Sequence, residues 1–494
     1  MNPRNAVRLL ALFVGSYFLY FDGTDQRGLV GPDEPRYASI ARTMAESGDW
    51  VTPRLAVDGA EAEPWFEKPA LLYWIGAGFN SLDDQATRAP LGLLGLAFLV
   101  FFHWRMCREF GEKEADFATA ILATSAGWVA FSQVGVFDLP LSVGLAGSLL
   151  ALLHWVGSPK SRQALYYFGA SLGFAVLAKG LVGPAIATLA VLAMVPRLGF
   201  AHVIKNLLSW RTLVPFVAVA GPWYVACYWA NGAVFVEEFI WKHHILRVVS
   251  PEIDHVRPFW FYVPVLALFL APWSALLIYQ PVDAARRDPR VRLLAAWALA
   301  TFVLFSVSTN KLPGYILPAL PPLAALMGIR LARGPIPAAL IAACGLTLCA
   351  LPLAAAVLPD ALAQGFFKAW PPENWMTPGL AVIAAAALLA GGLQARGRTV
   401  AAVGVIAVAA IVGFVSLKRA TFSEIDRLDG SRSIWRLVEG RRSEVCVGEV
   451  RRHVLYGLAY YSDATLPSCA EYPRPLEIAG DPPIVEQRKS EPIP

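Results

Sequence analysis

The sequence predicts an all-α polytopic membrane protein with a small α/β domain at its C-terminal end. Three observations carry that prediction. Of 494 residues, 56% are hydrophobic and only 16% are charged, against roughly 25% charge in a soluble domain. The apolar residues fall in runs suited to a bilayer, whose core needs about 20 of them per helix. From Lys418 onward the chain turns to mixed charge with short apolar stretches, the pattern of strands and an amphipathic helix. The net charge of +5 is spread along the chain, without the clustered basic face that a nucleic-acid partner requires.

The elements follow in order. MNPRNAVRLLALFVGSYFLYFDG opens like a signal peptide but ends in Tyr-Phe-Asp-Gly, with no small-residue cleavage site. It reads as an uncleaved first span with a cytoplasmic N-terminus. About 13 spans are expected on the bilayer ruler, near 5–21, 87–104, 115–133, 139–156, 164–178, 183–196, 212–230, 259–279, 293–307, 315–331, 336–358, 377–394 and 399–417. Alternate loops carry basic residues, from Arg4 and Arg8 to Arg396 and Arg398, and the positive-inside rule makes them cytoplasmic. Residues 31–72 and everything after Lys418 are then outside.

Residues 1–417 are thus expected to form the membrane domain, with an outer loop at 31–80. Residues 418–494 form an extracytoplasmic domain ending in a disordered Pro-rich tail, DPPIVEQRKSEPIP. In that domain SEVCVGEV reads as a strand and VRRHVLYGLAYYSD as a strand or helix. Cys107, Cys227, Cys344 and Cys349 lie in or beside spans and read as small hydrophobes. For Cys446 and Cys469 a disulfide and a pair of thiols both fit.

The stretch GPDEPRYASIARTMAESGDWVTPRLAVDGAEAEPWFEKPALL, residues 31–72, is too long for a simple turn, and long connections are usually functional or disordered. Tyr37, Ile40, Ala41 and Met44 fall on one stripe of a helix over 34–47, read as lying on the membrane. PALLYWIGAGF at 69–79 is too short to span and reads as a second interfacial or re-entrant helix, with Pro69 in its first turn.

Candidate chemistry collects at the outer ends. Asp33 and Asp138 each precede a proline by two residues where a helix starts. One reading is an N-cap; the other is a carboxylate pair, one taking a proton from a nucleophile and one orienting it. Glu67-Lys68-Pro69 is either a surface ion pair or, at a helix N-terminus, an anion site. Lys68, Lys179, Lys242, Arg247 and Lys311 are basic residues of outer loops, each within a few residues of a Pro or an aromatic. Singly each fits snorkelling; together they suggest an anion received at the outer face. In WKHHILR, His243, His244 and Arg247 share a helical face. A histidine there with Glu67 fits a divalent ion, and a histidine held for structure fits as well. NKLPGYILPALPPL, 310–323, brings Lys311 and Tyr315 to a span loosened by prolines. Tyr315 reads equally as an interface aromatic and as a hydroxyl donor to a phosphate.

These stretches, with FDLPLS at 137–142, LAKGLVGP at 177–184 and GPWY at 221–224, resemble the lipid-linked-sugar glycosyltransferases of the GT-C fold. Within them the chain is most similar to the bacterial aminoarabinose transferases, relatives of the protein O-mannosyltransferases. The resemblance implies that Asp33 is the first-loop catalytic aspartate and Asp138 its partner, with Arg36 and Tyr37 beside the first on the substrate. It also implies that Lys68, Arg247 and Tyr315 hold the carrier phosphate, and that Glu67 and His244 match a site for a divalent metal (Mg, Mn or Zn). No organic cofactor is implied. Trp65 stands where a tyrosine is common, and AVDGAEAEP is longer and more acidic than the usual connector. The expected activity is inverting transfer of a sugar from polyprenyl (undecaprenyl) phosphate to a glycolipid such as lipid A, at the outer face of the bacterial inner membrane. A protein acceptor is the nearest alternative. A lipid-phosphate transporter or flippase, which should carry ionisable residues near the bilayer midplane, and a non-catalytic polysaccharide-assembly protein are more distant ones.

Overall fold

The structure is a computed structural model, and residues 3–56, 62–79, 84–158, 160–246, 256–364, 369–372, 378–462 and 466–488 are described. Among them, eight helices are long and apolar enough to cross a membrane: Gln85–Phe110, Asp138–Gly157, Trp210–His243, Pro289–Val307, Pro313–Arg333, Ala338–Ala363, Pro378–Ala395 and Thr399–Leu428. The expected count of thirteen is not reproduced. The stretch 115–133 breaks into Glu112–Ala123 and Ala126–Phe131. At the break the Thr124 and Ser125 hydroxyls donate to carbonyls one turn back, and the Ala126 N–H leaves the helix for the Ala271 carbonyl, a competition typical of these residues. The stretch 259–279 ends its α-helix at Leu270, before Pro272, and continues as a 3-10 turn.

Three neighbouring helices set the geometry of the site: Asp138–Gly157, Arg162–Lys179 and Trp210–Val236. Small residues let their backbones meet, as membrane helices require. A Cβ on Gly144 would lie 2.8 Å from the Ala175 amide, and one on Gly173 2.7 Å from the Phe216 carbonyl. The first two run antiparallel, so the beginning of one lies beside the end of the next. That places Asp138 against Lys179, an anion at a helix N-terminus and a cation at a C-terminus, where each suits the helix dipole.

The first long loop folds onto protein. Its helix, Asp33–Ser47 (the site helix), closes at Gly48, whose positive φ of 68° lets its N–H return to the Met44 carbonyl. Tyr37, Ile40, Ala41 and Met44 are all buried. This stripe packs against the helices Leu71–Gly78 and Arg452–Tyr461. Pro69 precedes the second loop helix rather than occupying its first turn. Strands β1 (Arg54–Leu55) and β2 (Glu63–Pro64) pair antiparallel and pinch the loop; residues 57–61 of the acidic connector lie outside the described residues.

The last long helix runs Thr399–Asp429. Beyond it β3 (Val445–Val450), β4 (Leu476–Gly480) and β5 (Ile484–Gln487) form a sheet in that order, β3 parallel and β5 antiparallel to β4. The strand-or-helix alternative resolves as the helix Arg452–Tyr461. A core of its own, including Val445, Val454, Leu458 and Ile478, holds this unit, and Cys446 is disulfide-bonded to Cys469. Part of the tail expected to be disordered is therefore ordered, because β5 completes the ladder on β4.

Candidate active site

Neither aspartate caps its helix through its side chain. Asp33 opens the site helix and meets the Arg36 guanidinium one turn on, at 2.5 Å, with 40% of its side chain exposed. Asp138 opens its own helix and accepts from Lys179 Nζ at 2.7 Å, 14% exposed. Both carboxylates are oriented by cations.

Around Asp33 the loop builds one cluster. Arg36 reaches Glu67 Oε2 at 3.1 Å, and Lys68 Nζ reaches Glu67 Oε1 at 2.7 Å. The Arg36 guanidinium lies 5.2 Å from the Tyr37 ring, 5.4 Å from Trp65 and 5.7 Å from Tyr456, within cation–π range. Burial works against the charge on Arg36, and Glu67, followed by Tyr37 and Asp33, outweighs it, so its pKa rises. Burial likewise keeps the Tyr37 and Tyr73 hydroxyls protonated, well above the usual phenol range.

Around Asp138 a second cluster forms. Lys179 Nζ sits 4.5 Å from the centre of the Tyr315 ring. The NKLPGY turn lies so close that a Cβ on Gly314 would fall 2.8 Å from the Asp138 carboxylate. Tyr262 donates to the Leu312 carbonyl at 3.0 Å and pins the same turn. The two clusters join through three rings: Tyr37 against Phe137 at 4.9 Å, Tyr73 against Phe137 at 5.3 Å and Tyr37 against Tyr73 at 5.9 Å.

Sequence reasoning missed Glu34. It is fully buried and binds Arg88 through both oxygens at 2.6 Å. It also accepts from the Val30 N–H at 2.8 Å and the Gly135 N–H at 2.9 Å. Burial raises its pKa, but Arg88, then Arg27 and the Gly135 N–H, pull it below the ordinary carboxylate value. Glu34 thus ties the residue next to Asp33 to the turn leading into Asp138. The available signal was Arg88 itself, a charge at the start of an expected span, which demands a partner if buried. The partnership of Lys179 with Asp138 was not legible either, since it needs the helix pairing.

The remaining expected residues fall elsewhere. Lys311 is buried and donates to the Arg257 carbonyl at 3.0 Å and to the Ser308 carbonyl, and burial lowers its pKa; its ammonium supports the turn that carries Tyr315. Arg247 lies outside the described residues, and so does the His244 side chain. The chain turns at Gly232, φ 61°, and winds as a π-helix over Glu237–Leu246, where His243 Nε2 lies 3.8 Å from Glu238. Among the described residues, no three His, Cys, Asp or Glu side chains gather as a metal site. Glu67, the expected ligand, has a cation on each oxygen.

Comparison with known proteins agrees with this architecture. Residues 5–236 match the family described as dolichyl-phosphate-mannose-protein mannosyltransferase. Proteins named undecaprenyl phosphate-alpha-4-amino-4-deoxy-L-arabinose arabinosyl transferase from Pseudomonas paraeruginosa and Shewanella sediminis are 33% and 31% identical. The matches cover 66% and 64% of this chain and 60% and 59% of the relatives, so the chain spans about 60% of the length of these curated relatives. The crystal structure of ArnT from Cupriavidus metallidurans in the apo state is 26% identical with a TM-score of 0.76, covering 94% of this chain and 86% of that one. The same protein bound to undecaprenyl phosphate is 25% identical with a TM-score of 0.75, covering 92% and 85%. The archaeal oligosaccharyltransferase AglB from Archaeoglobus fulgidus, 14% identical with a TM-score of 0.54 over 94% of this chain and 64% of that one, shares the fold alone.

The helical architecture is that of a GT-C membrane protein. Within that class the chain is similar to the aminoarabinose transferases and, over residues 5–236, to the protein mannosyltransferases, and its long apolar helices make it a multi-pass membrane protein.

Proposed function

We propose that the chain is an inverting glycosyltransferase that moves a sugar from polyprenyl (undecaprenyl) phosphate to a glycolipid such as lipid A at the outer face of the inner membrane. The observation that carries this reading is the meeting of two carboxylate–cation clusters across the Tyr37–Phe137 contact. Asp33, the more exposed carboxylate, takes the proton of the acceptor hydroxyl as its oxygen attacks the anomeric carbon. Asp138, fixed by Lys179, orients sugar or acceptor. The leaving phosphate departs from the opposite face, which inverts the anomeric centre. Lys68, Tyr315 and Arg247 stabilise the charge growing on it, most strongly where water is excluded. Arg36 holds Asp33 in place. A divalent ion held by Glu67 and His244 would share the Glu67 carboxylate with Lys68 and Arg36 and would add positive charge beside the leaving phosphate.

In this reading residues 1–417 are the catalytic membrane unit, and 418–494 an extracytoplasmic domain. The Cys446–Cys469 disulfide supports an oxidising compartment for the latter, and the alternation of basic loops supports a cytoplasmic N-terminus. The match of residues 5–236 to protein mannosyltransferases favours a second reading in which a protein hydroxyl is the acceptor. Mass spectrometry of envelope glycolipids and glycoproteins, from cells with and without the gene, separates the two. A sugar increment on a glycolipid that disappears with Asp33→Asn is the expected result. Undiminished transfer by that variant at equal expression overturns the proposal.

A further inference from the structure

The helix Arg452–Tyr461 has two working faces. Val454 and Leu458, one turn apart, belong to the core of the C-terminal unit. Tyr456, on another face, belongs to the main core of the membrane body. It is 5% exposed, and its ring lies 5.7 Å from the Arg36 guanidinium. Its hydroxyl accepts from Arg452 Nε at 3.1 Å, with the Arg452 guanidinium 5.5 Å from the same ring. One turn later Tyr460 packs with Leu29 and Ala38 and lies under Arg42, 4.2 Å away.

We propose that Tyr456 is a positioning residue for transfer: it completes the aromatic enclosure that Tyr37 and Trp65 begin around Arg36, and so makes the C-terminal unit a wall of the active site. Arg36 is bonded to two carboxylates, Asp33 and Glu67, in different segments of the loop. A long side chain with many rotamers holds two such partners only if its guanidinium plane is confined, and three rings from three segments confine it. Asp33 and Glu67 both meet the same terminal nitrogen, Nη2, so they fix one corner of the guanidinium and not its plane. Tyr456 is the enclosing ring contributed from beyond the membrane helices.

The inference rests on the transfer activity proposed above, and two readouts keep them separable. In full-length protein in nanodiscs, Tyr456→Leu is expected to lower kcat by about tenfold with donor KM little changed, since a mispositioned group costs rate more than binding. Tyr456→Phe, which keeps the ring, restores most of it. Tyr460→Leu, which removes a docking ring on Arg42 but none on Arg36, keeps wild-type kcat. Independently of turnover, phenylglyoxal labelling of Arg36, followed by peptide mass spectrometry, rises severalfold in Tyr456→Leu and in neither other variant. Unchanged labelling of Arg36 in Tyr456→Leu overturns the proposal whatever the wild-type activity. So does an equal loss of kcat in Tyr460→Leu, which would reduce Tyr456 to a general docking contact.

Discussion

Asp33 and Asp138 differ in what surrounds them, and the proposed division of labour follows from that difference. Asp33 is open enough to meet a hydroxyl, whereas Asp138 is enclosed with Lys179. Asp33→Asn keeps the shape and loses the basicity, so kcat for sugar transfer in a reconstituted assay should fall by about 10²–10⁴ with little change in donor KM. Glu34 makes a separate prediction, read in stability. Glu34→Gln leaves Arg88 buried without its hydrogen-bonded carboxylate, a loss of about 3–5 kcal/mol, measurable as a lower unfolding temperature in detergent. Because the folded pKa of Glu34 lies below its unfolded value near 4.5, its contribution is complete above that value and lost as pH falls through the folded one. The wild-type unfolding temperature should therefore drop on acidification below about pH 4.5, and Glu34→Gln should flatten that limb.

At the scale of elements, the site depends on backbone approaches that leave no room. Gly314 touches the Asp138 carboxylate and the Phe131 ring, each 2.8 Å from where a Cβ would stand. Gly314→Ala should push the NKLPGY turn off Asp138 and reduce transfer by about 10² while the protein still inserts, checked by kcat against membrane-fraction yield. The helices themselves were largely readable. The site helix appears at Asp33–Ser47 and the second loop helix at Leu71–Gly78, close to the stretches that apolar spacing indicated. What each face meets was not readable, since a stripe at helical spacing looks alike against lipid and against protein. Tyr37, Ile40, Ala41 and Met44 took the second option because two other helices were available to cover them. Long apolar runs also concealed breaks such as the one at Thr124, which depends on a carbonyl contributed by residue 271.

Across the whole molecule, the C-terminal unit is tied to the loop that carries the site. Gly28 donates to Asp426 at 2.6 Å, Leu29 to the Tyr461 hydroxyl at 2.8 Å, and Arg42 to the Tyr460 carbonyl at 2.8 Å. Tyr461 in turn donates to Asp84 at 2.7 Å, which also pairs with Arg432 at 2.9 Å. A chain ended after Asp429 should insert in the membrane and fail to transfer, as read by membrane-fraction yield beside product formation. The proposed orientation is checked by fusing alkaline phosphatase to the C-terminus, which should be active there, while a fusion in the Arg286–Arg292 loop should be inactive.

The sequence by itself determined the membrane class, and it singled out the 31–72 loop and the candidates Asp33, Glu67, Lys68, Asp138 and Tyr315 for the transfer proposed above. Those follow from composition and local spacing, which act over one or two turns of chain. Only the tertiary structure decided that Lys179 holds Asp138, that Glu34 joins the two aspartate turns through Arg88 and Gly135, that Lys311 is spent on carbonyls, and that Tyr456 reaches Arg36. These partners lie tens to hundreds of residues apart, and a charge or ring selects its partner by proximity in the packed state, which periodicity along the chain does not encode.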